Sequence, residues 1–242
     1  GVLLASMWMY TGFGASLTVF GPLLQPIRET FNLAQAEMGL VFLVSATAFI
    51  LSVLAGATAS DRYGRRPFVL AGPSLILLGF LTASVSPNWA IFLMASFTFG
   101  AGMGFVDGSL NALVIDISEH SAASSLNYLH VFFGVGAFAG PLLVGVVLDA
   151  GLHWRWIAAS TAGLSLTMLM PYFLVRFPPA APAIALRTKQ ILSSLFKPQP
   201  LLMLVVILFF VGMEATYSGW LPSYIALEFQ ASRGLAAYSL AF

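Results

Sequence analysis

Residues 39–66 read GLVFLVSATAFILSVLAGATASDRYGRR, and they establish the class of fold. Residues 39–60 contain no charged side chain, and a helix of about 20 mostly apolar residues is long enough to cross a lipid bilayer. Residues 61–66 then bring one aspartate and three arginines. An apolar helix that ends in a basic turn is typical of a membrane span followed by a cytoplasmic loop.

The composition of the whole chain agrees with this interpretation. Of 242 residues, 59% are hydrophobic and 8% are charged, whereas soluble domains carry about 25% charged residues. So few charges cannot cover the surface of a globule, which excludes a soluble enzyme and a disordered chain. A net charge of +1 without a basic patch argues against a nucleic-acid partner. We predict an all-α polytopic membrane protein whose surface contacts lipid.

Seven apolar stretches are long enough to span a membrane. They are residues 3–23, 35–60, 67–85, 89–117, 123–148, 154–175 and 200–227, numbered spans 1 to 7. Residues 235–242 predict the start of an eighth span. The chain begins with Gly1 and ends inside that apolar stretch, so we expect a fragment whose partner is the missing C-terminal half of the same protein.

The spans divide into two groups separated by a linker rich in proline. Residues 1–175 predict a six-helix bundle, and residues 199–242 predict the first helix and part of the second helix of another bundle. Residues 176–198 form the linker, since this composition favours a connection between bundles. An interfacial helix over residues 184–196 is possible within it.

Lysine and arginine are distributed unevenly between the two ends of the spans. Seven lie at one end: Arg62, Arg65, Arg66, Arg176, Arg187, Lys189 and Lys197. Three lie at the other: Arg28, Arg155 and Arg233. Because basic loops stay in the cytoplasm, we predict a plasma-membrane or inner-membrane protein with the 61–66 loop and the 176–198 linker cytoplasmic.

A short pattern recurs at two span ends. Asp61 closes span 2 and Asp149 closes span 5, each four residues after a small residue, Ala57 or Gly145. Glycine and arginine follow both aspartates. The two sites are three spans apart, and an odd number of spans inverts topology, so the pattern predicts a 3+3 inverted repeat.

Residues 61–66, DRYGRR, resemble the signature loop between helices 2 and 3 of the major facilitator superfamily, Gly-x-x-x-Asp-Arg-x-Gly-Arg-Lys/Arg. The opening glycine is displaced, since Ala57 holds its position beside Gly56. The long linker after span 6 also fits a family built from two six-helix halves. The resemblance implies a twelve-helix transporter that works by alternating access, and this chain would hold its first half and the start of the second.

Three further stretches resemble the fucose permease and related hexose–cation symporters. They are residues 104–111 (GFVDGSLN), 126–136 (LNYLHVFFGVG) and 212–224 (GMEATYSGWLPSY). The resemblance implies symport of a small polar solute, with a hexose favoured. The coupling ion would be a proton, with sodium second, and no other cofactor is expected.

Polar and aromatic residues inside the spans are the candidates for solute binding and ion coupling. They are Asp107, Asn111, Asn127, His130, Glu214, Tyr217 and Trp220. Asp107 lies well inside span 4, where a charge costs at least about 2.5–3.5 kcal/mol. It is either a protonatable coupling site or a structural group satisfied by neighbouring helices. Glu214 on span 7 has the same two interpretations, and it could also bind the solute or a cation.

The remaining candidates suit a hydroxylated solute. Asn127 and His130 share one face of span 5 and offer both donors and acceptors, although a histidine satisfied in the core is an alternative. Tyr217 and Trp220 could stack on a sugar, or they could belong to the aromatic belt at the membrane interface.

A separate group of residues predicts gating. It comprises Asp61, Arg62, Gly64, Arg65, Arg66 and Asp116. The family resemblance implies that Arg65 pairs with Asp116 on span 4 and that Asp61 approaches a helix N-terminus in the second half. Such contacts would close the cytoplasmic side and break on switching. The alternative is that the arginines only fix topology.

Two other functions remain open. Residues 136–141, with Gly145, resemble the helix-5 motif of drug–proton antiporters, but those antiporters carry an arginine in helix 4 where this chain has Ser96 before Gly100. A non-transporting helical membrane protein is the other alternative. The three histidines lie far apart without metal-ligand spacing, and no nucleophile motif occurs, so we predict no metal site, no catalytic residue and no enzyme.

Overall fold

The computed structural model describes residues 1–118, 121–175, 177 and 197–241, and these residues are almost entirely helical. The helices are α1 (Val2–Thr18), α2 (Phe20–Phe31), a 3-10 turn (Gln35–Met38), α3 (Gly39–Tyr63), α4 (Arg66–Val85), α5 (Trp89–Ile117), α6 (Ala122–Asp149), α7 (Trp154–Leu174), α8 (Pro198–Glu228) and α9 (Arg233–Tyr238). Six of the described helices could each span a membrane, or seven spans result if the bent pair α1–α2 counts as one. The predicted all-α polytopic fold is therefore confirmed.

The starts of α5 and α7 are fixed by side-chain caps. The Asn88 side chain accepts the backbone N–H of Ile91 at 3.0 Å, which fixes the start of α5 at Trp89. His153 accepts the backbone N–H of Arg155 at 3.3 Å through Nδ1 at the start of α7. Burial and the nearby Arg155 charge lower the pKa of His153, so its ring stays neutral and can accept this bond. These caps place spans 4 and 6 where the sequence predicts them.

Span 1, which the sequence predicts over residues 3–23, is broken in two and reaches further along the chain in the structure. The structure has two helices, α1 and α2, bent by 42° and together reaching Phe31. Pro22 cannot donate a backbone N–H to the carbonyl group of Thr18, so the helix ladder breaks at this point. The helix continues past residue 23 because Leu24 and Ile27 are buried against the bundle.

Close contacts between helix backbones set the packing of the bundle. α5 lies against α3, and a Cβ on Gly104 would overlap the backbone carbonyl oxygen of Phe49. α6 lies against α1 in the same way, and a Cβ on Gly136 would overlap the carbonyl oxygen of Thr11. The first pair consists of spans 4 and 2, and the second pair consists of spans 1 and 5. In an inverted repeat, span 1 corresponds to span 4 and span 2 corresponds to span 5, so the two pairs are equivalent. The pairing fits an inverted repeat, which stays a prediction.

α8 and α9 contact the six-span bundle at one end only. Residues 201–217 of α8 are exposed, whereas Gly219, Pro222 and Ser223 are buried. α8 packs on α2, and α9 packs on α2 and α6. We call this end the Asp149 end and the opposite end, where α3 meets α4, the Arg65 end. Apart from residues 177, 197 and 198, the predicted linker lies outside the described residues, as does the interfacial helix over residues 184–196.

Candidate functional site

A polar cluster lies inside the bundle where α1 meets α5. The hydroxyl of Tyr10 donates to Asp107 Oδ1 at 2.9 Å, and Asn111 Nδ2 donates to the same oxygen at 3.0 Å. Asn111 Nδ2 also donates to the backbone carbonyl oxygen of Asp107 at 3.0 Å. Tyr10 is only 1% exposed. Two donors from two directions therefore hold one oxygen of the Asp107 carboxylate.

His130 joins this cluster through Tyr10. Their rings meet edge to face, with centroids 5.7 Å apart. The Nδ1 atom of His130 lies 2.8 Å from the backbone carbonyl oxygen of Leu126. A carbonyl oxygen can only accept, so Nδ1 is the donor in this contact. Tyr10 thus contacts both titratable groups, Asp107 and His130.

The side-chain oxygen of Asn111 is available for a further hydrogen bond. Its Oδ1 atom is buried and has no hydrogen-bond partner among the described residues. A buried acceptor without a partner costs roughly 1–3 kcal/mol, and a donor that binds this oxygen removes that free-energy cost. Asn111 Oδ1 can therefore accept a hydrogen bond from a hydroxyl group of a bound molecule, close to the carboxylate of Asp107.

The other predicted solute-binding residues lie apart from this cluster in the described structure. Asn127 is exposed one helical turn before His130 on α6. Glu214 and Tyr217 are exposed on α8, and neither side chain contacts the cluster. Trp220 is half-buried, and its ring lies 5.8 Å from the ring of Phe42 on α3. The structure thus brings together Asp107, Asn111 and His130 but leaves the other four candidates outside the cluster.

Tyr10 is the residue that the sequence analysis missed. A tyrosine in an apolar stretch is most often a belt residue near a span end. Tyr10, however, lies in the middle of α1 (Val2–Thr18). This position in the middle of the helix could have identified Tyr10 as a candidate, because a hydroxyl buried in a membrane span needs a hydrogen-bond partner.

The predicted gating residues form a second cluster at the Arg65 end. Arg65 Nε donates to Asp116 Oδ2 at 2.8 Å, and Arg65 Nη1 donates to Ser60 Oγ at 2.8 Å and also to Asp61. The side chains of Arg65 and Asp116 are 14% and 17% exposed, so this pair is partly desolvated. Gly64 has φ +86°, which lets the chain turn sharply between α3 and α4.

Electrostatics keep this second cluster charged. Burial lowers the pKa of Arg65, but the hydrogen bonds and charges of Asp116 and Asp61 outweigh burial and raise that pKa above its ordinary value. Arg62 and Arg66 do not join the pair. Arg62 lies over the ring of Tyr63 at 5.3 Å, and Arg66 lies over the ring of Phe177 at 5.9 Å. The structure brings Arg65, Asp61 and Asp116 together, and their role in gating stays a prediction.

Comparisons with known proteins agree with this geometry. The family profile described as Major Facilitator Superfamily matches residues 6–242. The sodium-dependent glucose transporter 1A of Mus musculus is 29% identical over 136 residues, which cover 55% of this chain and 32% of the relative. The multidrug resistance protein MdtL of Escherichia coli O6:K15:H31 (strain 536 / UPEC) is 24% identical over 197 residues, covering 80% of this chain and 50% of the relative.

Solved structures share the fold. A bacterial homologue of the human lysosomal transporter Spinster superposes with a TM-score of 0.80 at 17% identity, covering 99% of this chain and 59% of the homologue. A D-xylose-proton symporter superposes with a TM-score of 0.73 at 16% identity, covering 99% of this chain and 64% of the symporter.

The chain spans 32% of the length of the mouse relative and therefore corresponds to part of such a protein. Its apolar helices make it an integral membrane protein. Together with the basic turn at residues 61–66, the profile match over residues 6–242 establishes that the chain belongs to the major facilitator superfamily.

Proposed function

We propose that this chain is part of a secondary active transporter that carries a small polar solute together with a proton by alternating access. The observation that supports this proposal most strongly is the carboxylate of Asp107 inside a membrane-spanning helix, held by Tyr10 and Asn111. Ionisable groups at such depth are expensive and mark ion or substrate pathways.

The hydrogen bonds suggest how a proton could act. While Asp107 is charged, its Oδ1 atom accepts from both Tyr10 and Asn111. A proton on the carboxyl group removes the charge that holds both donors. The amide of Asn111 then becomes free to bind a solute hydroxyl, so protonation and solute binding favour each other. The titratable groups that contact this cluster are Tyr10 from α1 and, through its ring, His130 from α6.

Sodium is the second candidate for the coupling ion. Asp107 and the unsatisfied Oδ1 of Asn111 offer oxygen ligands, and the mouse relative is named a sodium-dependent transporter. The proton is favoured because both polar neighbours of Asp107 Oδ1 are oriented as donors toward it. A cation would have to displace these donors.

A hexose is the favoured solute. The mouse relative is named for glucose, and one solved structure is named for D-xylose. Hydroxyl, amide and imidazole groups match sugar hydroxyls. In this proposal the cluster of Asp107, Asn111 and His130 binds the solute from one side. The exposed residues Asn127, Glu214 and Tyr217 and the half-buried Trp220 complete the site during the transport cycle.

A drug–proton antiporter is the alternative. The similarity to the multidrug resistance protein MdtL and the motif at residues 136–141 favour it. Ser96, in the place of the arginine that such antiporters carry, argues against it. A non-transporting membrane protein is a further alternative, and we propose transport rather than catalysis.

The arrangement in the cell is also part of the proposal. The Arg65 end and the 176–198 linker would lie in the cytoplasm, in a plasma or inner membrane, and the excess of basic residues there supports this orientation. The remainder of a twelve-span fold acts as the partner half, and membrane lipid surrounds both halves.

Uptake of labelled hexoses by cells that express the complete reading frame tests this function. We expect accumulation of at least one hexose and its loss when an uncoupler collapses the proton gradient. Export of a fluorescent cationic dye without hexose uptake would instead support the antiporter. Absence of both activities, with the protein confirmed in the membrane, would contradict transport of either kind.

Substituting Tyr10→Phe is expected to lower the initial rate of solute uptake. The variant removes the hydroxyl that donates to Asp107 Oδ1, and one hydrogen bond contributes about 0.5–1.5 kcal/mol. A loss of that size corresponds to roughly a two- to twelvefold lower rate. The measurement is initial uptake of labelled solute at one fixed pH.

The matched control for this variant is Tyr172→Phe. Tyr172 is as deeply buried as Tyr10, but its hydroxyl donates to Ser6 at 3.1 Å, away from Asp107. We expect the uptake rate of the control to stay unchanged. An equal loss of rate in both variants would show that Tyr10 acts only through general packing.

A further inference from the structure

Two polar contacts at the Asp149 end join the six-span bundle to α9. The hydroxyl of Tyr238 donates to Asp149 Oδ2 at 3.1 Å. Arg233 Nη2 donates to Glu29 Oε2 on α2 at 2.5 Å. We propose that Asp149 and Tyr238 form a latch that holds this end of the transporter closed and that must open once in each transport cycle. The proposal rests on the proposed alternating-access function.

The fit around Asp149 shows that the contact is built into both helices. A Cβ on Gly234 would overlap the carboxylate of Asp149, so α9 approaches this side chain as closely as a glycine allows. From the other side, a Cβ on Gly145 would overlap the ring of Tyr238. Each partner of the hydrogen bond therefore lies against a glycine of the opposite helix, which makes the two surfaces complementary.

The two contacts differ in expected strength. The side chains of Arg233 and Glu29 are 53% and 51% exposed, and an exposed ion pair contributes little, about 0–1 kcal/mol. The contact between Tyr238 and Asp149 is supported by the close packing of Gly145 and Gly234. Ala237, which precedes Tyr238 on α9, is fully buried. We therefore place the latch at Asp149 and Tyr238 and assign the Arg233–Glu29 pair a minor role.

In the repeat pattern of the sequence, Asp149 of the latch corresponds to Asp61. Asp149 occupies the position that Asp61 occupies at the opposite end of the bundle. Asp61 accepts a hydrogen bond from Arg65 of its own half, and no hydrogen bond among the described residues joins Asp61, Arg65 or Asp116 to α8 or α9. Contacts to α8 and α9 are thus concentrated at the Asp149 end. This asymmetry is what a latch at the Asp149 end requires.

The latch can be tested through the accessibility of Ala237, which is buried while the end is closed. Ala237→Cys is introduced into the complete protein, purified in detergent and labelled with a maleimide, and the labelled peptide is quantified by mass spectrometry. Adding Tyr238→Phe should raise the labelling rate about three- to fivefold, as expected for the loss of one hydrogen bond. Adding Tyr224→Phe, which alters an exposed tyrosine of α8, should leave the rate unchanged.

Equal labelling rates in all three proteins would overturn the latch. This readout needs no solute, so it separates failure of the latch from failure of the proposed transport function. Faster labelling without hexose uptake would support the latch and contradict the assignment of a hexose as the solute. Slower labelling in the Tyr238→Phe protein would also overturn the latch.

Disulfide formation provides a second measurement that does not depend on the Tyr238 variant. Asp149→Cys combined with Gly234→Cys should cross-link on oxidation, stop solute exchange and regain exchange on reduction. Complete cross-linking without an effect on exchange would show that this end need not open. Failure to cross-link would show that α6 and α9 do not approach each other, and either result would overturn the proposal.

Discussion

Asp107→Asn is expected to abolish uphill accumulation of the solute while downhill exchange persists. Asparagine has nearly the same shape, and its Oδ1 can still accept the hydroxyl of Tyr10, so the fold should survive. It cannot take up a proton, so the coupling step is lost. The measurement is the ratio of internal to external labelled solute at steady state, which should fall to about 1 without coupling.

Asp107→Glu is the control for this prediction. It keeps a titratable carboxyl group in the same helix and should retain partial accumulation. If Asp107→Asn still accumulates solute against a gradient, then the proton binds elsewhere, and Asp107 is a structural residue satisfied by Tyr10 and Asn111.

Gly136→Leu is expected to prevent assembly of the bundle. A Cβ on Gly136 would overlap the carbonyl oxygen of Thr11, and the backbone nitrogen of Ala15 lies 2.9 Å from the same position. Overpacking usually costs about 1–3 kcal/mol, but these obstacles are backbone atoms that cannot rotate away, so the loss should exceed that range. We expect little monodisperse protein in detergent and a thermal midpoint lowered by more than about 5 °C.

Gly163→Leu is the matched control for packing. It places the same side chain in another apolar helix, α7, where no atom of another helix among the described residues lies within 4 Å of the added Cβ. The yield and thermal midpoint of this variant should equal those of the unmodified protein. Equal stability of the two leucine variants would mean that α1 and α6 do not pack through Gly136.

Much of the fold could be predicted because the physical signals are local. Span 4 was predicted over residues 89–117 and is observed as Trp89–Ile117, since the Asn88 cap marks its start and the apolar run marks its length. The prediction of span 1 over residues 3–23 does not include the bend, although Pro22 is a local signal for it. The continuation to Phe31 depends on burial against other helices, which hydropathy alone does not reveal.

The candidate site was only partly predictable for a similar reason. Asp107 and Asn111 are one helical turn apart, so their contact follows from helix geometry. Tyr10 lies far away in sequence, and its contact with Asp107 exists only after α1 and α5 pack together. The sequence identifies Asp149 as one half of a repeat. Its hydrogen bond with Tyr238 cannot be read from the sequence, because it depends on how α9 packs against α6.

The most direct test of proton-coupled transport uses the complete protein in sealed liposomes. A pH gradient, acidic on the side of the Asp149 end, is imposed, and accumulation of labelled hexose is followed with and without a proton ionophore. We expect accumulation above the external concentration that disappears when the ionophore is added. Accumulation driven equally well by a sodium gradient alone, or no accumulation with either gradient, would contradict the proposal.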